Sequence, residues 1–182
     1  MTPAPINSFL QRLIGAVSLD VPIYEEVEAD RGATVQALIV VVLSSLSAGI
    51  GARGLGGSGA ANIVFITILA LMAWAAWALV TLQIGGRLLP EPQTRVDVGE
   101  LLRTTGFATA PGILRLFGVL PGVTIPAFAL CAVWMLAAMI VAVRQALDYT
   151  STARAVVVCV IGWALAIGLA ILVGVLFGPT VT

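Results

Sequence analysis

Ala155 to Phe177 reads AVVVCVIGWALAIGLAILVGVLF, 23 residues without a single charge. As a helix rising about 1.5 Å per residue it would cross the roughly 30 Å of a bilayer's hydrocarbon. Three further windows read the same way: Ala33–Ile50, Ile63–Ile84 and Thr124–Val143. A soluble fold could not cover this much apolar surface. Of the 182 residues, 60% are hydrophobic and 10% charged, against about 45–50% and about 25% in soluble domains. The fold class expected is all-α, a polytopic membrane helix bundle.

A fifth window, Thr105–Leu120, is shorter and contains Pro111 and Arg115. At about 1.5 Å per residue it would reach only about 24 Å, so it either crosses with local thinning or is re-entrant. Arginines gather in cytoplasmic loops, and their placement favours crossing. With five spans, Arg12, Arg31, Arg87, Arg95, Arg103, Arg144 and Arg154 share one side against Arg53 and Arg115, whereas omitting the third span moves one arginine from the majority to the minority. The count predicts five transmembrane helices, with the N-terminus cytoplasmic and the C-terminus external. Residues 1–32 then form a cytoplasmic segment, 33–178 the membrane domain and 179–182 a short external tail.

Within the first segment no cleavable leader is expected, because a run of acids replaces a continuous apolar core. Met1 to Pro5 should be loose. Ile6, Phe9, Leu10, Leu13, Ile14 and Val17 follow at the spacing of one helical face, with Asn7, Gln11 and Arg12 opposite. An amphipathic helix of this kind either lies in the interface plane among acyl chains or packs against the ends of the bundle. Asp20 stands at an N-cap position before Pro22, Tyr24, Glu25, Glu26, Glu28 and Asp30, which predicts a short acidic helix. Acids beside an anionic leaflet are repelled. The expected partner is therefore basic, either Arg87, Arg95 and Arg103 of the same bundle, with Tyr24 as apolar anchor, or a separate protein.

Several chemistries are excluded. The nine basic residues are all arginine and are balanced by nine acids, so a nucleic-acid footprint is absent. There is no histidine, and with it go the usual general base and imidazole ligand. Cys131 and Cys159 fall inside different spans at opposite ends, without a CxxC, so neither a disulfide nor a metal or cofactor site is expected. Gly54, Gly56 and Gly59 spell GxGxxG, but membrane helices flank them in place of the strand and crossover unit that a nucleotide site needs.

Other residues carry structural expectations. Arg115 is the candidate intramembrane charge. It lies close enough to the end of its short helix to snorkel to the outer interface, and a buried ion pair or a contact with lipid phosphate is the other reading. Gly162, Ala166, Ala170, Gly174 and Gly178 form a small-residue stripe at four-residue spacing, suited to close helix packing within the bundle or to a homodimer seam. Trp74, Trp77, Trp134 and Trp163 lie inside spans, where they would fill space opposite small residues or line a ligand cavity. Arg144, Asp148 and Arg154 mark an interface and could clasp the last two helices. Intramembrane polar residues are otherwise Ser44, Ser45, Ser47, Thr67, Thr81 and Gln83, with no buried carboxylate to carry a proton and no base near a serine.

Taken in order, several short motifs resemble the Yip family of membrane proteins (the Yip-one domain, named for interaction with Ypt/Rab GTPases), and specifically its bacterial branch. They are Asp20 to Glu26 ahead of the first span, Gly85–Arg87 after the second, and Glu100–Arg103 leading into Gly106, Phe107, Ala108 and Pro111. Arg144–Leu147 before Ser151, Arg154 and Ala155 completes the set. The first motif departs from the eukaryotic Asp-Leu-Tyr-Gly-Pro, since Asp20 and Tyr24 stand further apart and the Gly-Pro is missing. The resemblance implies a five-span helical bundle with a cytoplasmic N-terminus and no enzymatic activity. Rab binding does not carry over, because an alanine-rich chain with arginine and no lysine looks bacterial, which places it in a bacterial inner membrane. The function expected is a non-enzymatic bundle that organises membrane lipids or protein partners, possible homo-oligomers included. A transporter or lipid translocator is the alternative.

Overall fold

The computed structural model describes residues 7–55, 59–95 and 97–177, except for the side chains of Ala166, Ala170 and Phe177. Its elements are α1 (Phe9–Val17), α2 (Val21–Ala29), α3 (Ala33–Gly51), α4 (Ala60–Gln83), α5 (Val98–Phe107), a 3-10 helix (Ala110–Val119), α6 (Thr124–Ala146) and α7 (Thr152–Phe177). A short 3-10 turn, Ala52–Leu55, follows α3, and a π-turn, Ile84–Leu88, widens the end of α4. No strand occurs among the described residues. Four helical stretches are long and apolar enough to cross a membrane: Ala33–Leu55, Ala60–Leu88, Thr124–Ala146 and Thr152–Leu176. Their outward faces are apolar, as Val64, Ile68, Leu79, Val133, Ile171 and Val175 illustrate.

The segment read as a short third span is longer than its hydropathy suggests. Helix starts at Val98, where the Asp97 carboxylate caps Glu100 N–H at 2.9 Å, and resumes as a 3-10 helix at Ala110 with Pro111 in its first turn. A 3-10 helix rises about 2.0 Å per residue, so its ten residues reach about 20 Å, and α5 adds about 15 Å.

Both pieces run beside α3 in the same direction. Gly106 faces Ala37, Gly112 faces Ser44 and Gly118 faces Gly51. The step is six residues on one side and seven on the other. Six residues make two turns of 3-10 helix, and seven make nearly two turns of α-helix, so both rows stay on one face and climb in register. Wherever the rows meet, a glycine permits the close approach, to backbone at Gly106 and Gly118 and to the Ser44 side chain at Gly112. The threonines of this segment bond to its own carbonyls: Thr104 Oγ1 to Glu100 O (2.9 Å), Thr105 Oγ1 to Leu101 O (2.6 Å) and Thr109 Oγ1 to Gly106 O (2.7 Å). Their burial is therefore satisfied.

At the end where α3 begins, α1 and α2 form an antiparallel hairpin lying across α5 and α6. The Ser8 side chain accepts from Gln11 N–H while the Gln11 side chain accepts from Ser8 N–H at 2.7 Å, a capping box that fixes the start of α1. Leu19, at φ 60°, turns the chain into α2. Phe9 meets Phe107 with ring centroids 6.4 Å apart, Trp134 donates its indole N–H to Val17 O at 2.8 Å, and Tyr24 donates to Ala16 O at 3.1 Å. Phe9, Leu13 and Val17 thus pack on the bundle, while Leu10 and Ile14 stay 62% and 58% exposed.

Candidate functional site

A cavity of about 160 Å³ opens between α4, α6, α7 and the 3-10 helix. α4 contributes Trp74 and Trp77, α6 Met135 and Met139, α7 Trp163, and the 3-10 helix Arg115. Trp77 is set by the absence of a side chain at Gly162, where a Cβ would stand 2.9 Å from the indole nitrogen. All of these residues sit well inside their helices. Met135 lies eleven positions into α6 and Trp163 eleven into α7, roughly 16 Å from the respective starts.

Arg115 does not snorkel. Its guanidinium turns into the bundle, with Nη2 2.9 Å from Met135 Sδ and the central carbon 5.7 Å from the centroid of the Phe128 ring. Its Nε–H is buried without an acceptor among the described residues, and so is the indole N–H of Trp74. The ion pairs among the described residues are Arg12–Glu26, Arg12–Asp30 and Arg154–Glu91, so Arg115 faces an aromatic ring and a thioether in place of a carboxylate. The cation–π contact offsets part of the desolvation. A charge and two buried donors without an acceptor among the described residues therefore belong to residues that line an apolar cavity. Of the tryptophans, Trp77 fills space opposite the small residue Gly162 and, with Trp74 and Trp163, lines the cavity, whereas Trp134 braces α1.

The acidic helix has a different partner from the expected loop. Arg12, assigned by periodicity to the polar face of α1, is 1% exposed and forks between Glu26 and Asp30 at 2.9 and 2.7 Å. Its Nη1 donates to Gln36 Oε1 at 3.0 Å, and Asn7 completes the shell of Glu26. The bond from Arg12, with that from Gly32 N–H, holds Asp30 below the ordinary carboxylate range. Arg103 does reach α2, but through the carbonyls of Val27 (3.1 Å) and Glu28 (3.2 Å), where a cation suits a helix C-terminus. Among the described residues Arg87 and Arg95 make no bond to α2, so the clasp belongs to α1 and α5.

Glu28 is left among like charges. Burial, and then Glu100 and Asp148, push its carboxyl from 4.5 to about 7. A raised acid favours the fold when protonated, so this contribution is complete below about pH 4.5 and is lost as the pH rises through about 7. Glu28→Gln is expected to be more stable than the parent at pH 8 by about 1 kcal/mol, allowing for screening at a partly exposed site. That corresponds to about 2–4 °C in thermal midpoint. At pH 5 the two should converge, and thermal scans in detergent at both pH values check the difference.

At the same end, the loop after α4 is tied to the α6–α7 connection by residues that hydropathy did not single out. Glu91 accepts from Thr150 N–H (2.9 Å), Thr150 Oγ1 (2.8 Å), Gln93 Nε2 (2.6 Å) and Ser151 N–H (3.3 Å). These bonds, the Thr150 N–H foremost, hold its carboxyl down to about 2. Tyr149 Oη lies 2.7 Å from Gly85 O and 2.8 Å from Leu89 O, closing the π-turn. Arg154 Nη1 donates to Pro90 O at 2.8 Å, and Arg144 Nε to Tyr149 O at 3.3 Å. Asp148, at φ 51°, makes the turn. The three interface charges therefore pin loops and do not pair with one another. An acid between Pro90 and Pro92 was the available signal for Glu91.

On α7 only part of the small-residue stripe touches another helix. Gly162 meets Trp77, while a Cβ at Gly174 would meet nothing within 4 Å. The side chains of Ala166 and Ala170, and the whole of Gly178, lie outside the described residues, as do Met1 to Ile6 and Gly56. Gly54 serves close approach, since a Cβ there would run into Thr124 Oγ1 and Gly118 O. Both cysteines are buried and free, and no group of metal-ligating residues occurs among the described residues.

Of the motif residues, Tyr24 and Phe107 are fully buried in one core, Gly106 abuts Ala37, and Pro111 opens the 3-10 helix. Asp20 sits at the N-cap of α2 without a side-chain bond. No curated protein and no solved structure matches the chain. A family model described as the Yip1 domain matches residues 22–174, from the first turn of α2 into the last turn of α7. The match takes in every helix that builds the cavity and the clasp partner α2, and the chain belongs to the Yip1 domain family.

Proposed function

We propose that this chain is a non-enzymatic scaffold of the bacterial inner membrane that crosses five times and organises lipid and protein neighbours from its cytoplasmic face. The observation that carries the reading is α1: its buried face is locked to the bundle by Arg12, and its outer face presents Leu10 and Ile14. A helix fixed at a bundle end with bare leucine and isoleucine is suited to lie among acyl chains at the interface. The register of the third segment along α3, from Gly106 to Gly118, supports the fifth crossing, and the arginine distribution supports a cytoplasmic N-terminus. The acidic α2 then offers the exposed Glu25 toward the cytosol, where a basic partner would dock, and the open Gly174 on α7 offers a place for a second copy.

Transport is the second reading, favoured by the central cavity. In proteoliposomes, flux of labelled phospholipid, a small solute and ions is expected to equal that of protein-free vesicles. A fluorophore on Leu10→Cys or Ile14→Cys should be quenched by lipids carrying a quencher near the headgroup. Flux above background would replace the scaffold by a transporter. Unquenched labels would take α1 out of the bilayer and remove the basis of the proposal.

A further inference from the structure

We propose that the cavity around Arg115 is a binding site for an anionic amphiphile, whose oxyanion is held by Arg115 and the indole N–H of Trp74 while its chain lies along the aromatic wall. Three observations converge. The guanidinium is directed into the bundle, its Nε–H and the Trp74 N–H are buried with no acceptor among the described residues, and no carboxylate pairs with it. An oxygen anion supplies what both groups lack, and a guanidinium binds carboxylate or phosphate with charge-assisted hydrogen bonds.

The rest of the wall selects for an apolar carrier. Trp77, Met135, Met139 and Trp163 offer no further charge, and the volume of about 160 Å³ suits a headgroup-sized moiety with the first carbons of a chain. Ile167 lines the cavity and is 44% exposed midway along α7, and the inferred mouth lies there. A mouth on an apolar face deep in a membrane helix is entered from the acyl region, not from water. A free aqueous anion would have to cross hydrocarbon to arrive there, at a cost a lipid-borne anion avoids. The ligand is therefore a chain-bearing carboxylate or phosphate monoester or diester. Binding does not depend on the scaffold reading: flux decides that one, and occupancy decides this.

The test uses the whole protein in phosphatidylcholine nanodiscs, read by tryptophan emission and thermal midpoint. Oleate and dioleoyl phosphatidic acid are the anionic probes, and methyl oleate and dioleoylglycerol their neutral counterparts. The expected result is a saturable response to at least one anion and none to either neutral analogue. Oleate alone assigns a fatty carboxylate, and phosphatidic acid alone a lipid phosphate. Arg115→Gln should weaken binding about tenfold or more, the worth of one charge-assisted hydrogen bond. Because that variant could fold poorly, Trp74→Phe, which keeps the ring and loses the donor, and Ala73→Leu, which fills the cavity, are assayed beside it. Both should weaken binding while leaving Arg115 in place. Equal response to the neutral analogues, or undiminished binding in folded Arg115→Gln or in both other variants, would overturn the site.

Discussion

Arg12→Met is expected to cost about 2–4 kcal/mol and to release α1 from the bundle. Removing one partner of a buried ion pair costs about 3–5 kcal/mol because the other charge is stranded. Here Glu26 and Asp30 are 25% and 32% exposed, so water recovers part of that loss, which places the expectation toward the lower end. Arg12→Lys should recover only a fraction, since one ammonium cannot occupy the positions that link Glu26, Asp30 and Gln36 at once. The loss should be local before it is global. Hydrogen exchange in detergent should show early loss of protection in α1 and α2 while α6 and α7 keep theirs. Adding Glu26→Gln and Asp30→Asn to Arg12→Met removes the stranded charges and should restore part of the stability. An unchanged thermal midpoint in Arg12→Met, with α1 still protected, would mean that the ion pairs contribute nothing net.

Arg12 also shows how far the sequence could be read. Apolar periodicity located α1 and assigned its faces by residue type, which cannot distinguish an arginine in water from one buried against carboxylates fourteen and eighteen residues away. The four long spans were legible, because lipid demands an uninterrupted apolar run and the windows begin or end within a few residues of the helices. Val98–Thr104 was not legible as part of the third segment, because Glu100, Arg103 and Thr104 lower its hydropathy. The polarity of Arg103, Thr104 and Thr105 is absorbed by bonds to carbonyls of α5 itself and of α2, which a window average does not register. The place of Arg115 in the third segment followed from the sequence, but the direction of its side chain did not. Whether a long side chain turns out or in is decided by Met135 and Phe128, both on another helix. The stripe on α7 drew attention because four-residue spacing fits an α-helix, whereas six-residue spacing becomes meaningful only once the segment is known to be 3-10.

That spacing leads to the other large effect, Gly51→Ala. A Cβ at Gly51 would run into the carbonyl oxygen of Arg115 and stand 2.9 Å from its carbonyl carbon, and neither can rotate away. The 3-10 helix must move off α3 as a body, which parts Gly118 from Gly51 and shifts Arg115 in the cavity. Overpacking against a side chain typically costs about 1–3 kcal/mol, and against backbone the upper part of that range or more is expected. Gly112→Ala should cost less, since it meets the Ser44 hydroxyl and the thioether of Met135, both able to turn. Gly174→Ala, with nothing within 4 Å, should be neutral or gain up to about 1 kcal/mol from helix propensity. The three thermal midpoints in detergent should therefore fall in the order Gly174→Ala, Gly112→Ala, Gly51→Ala from highest to lowest. If Gly51→Ala matched Gly174→Ala, the close approach of α3 to the 3-10 helix would be wrong, and with it the register that carries the third segment along the full length of α3.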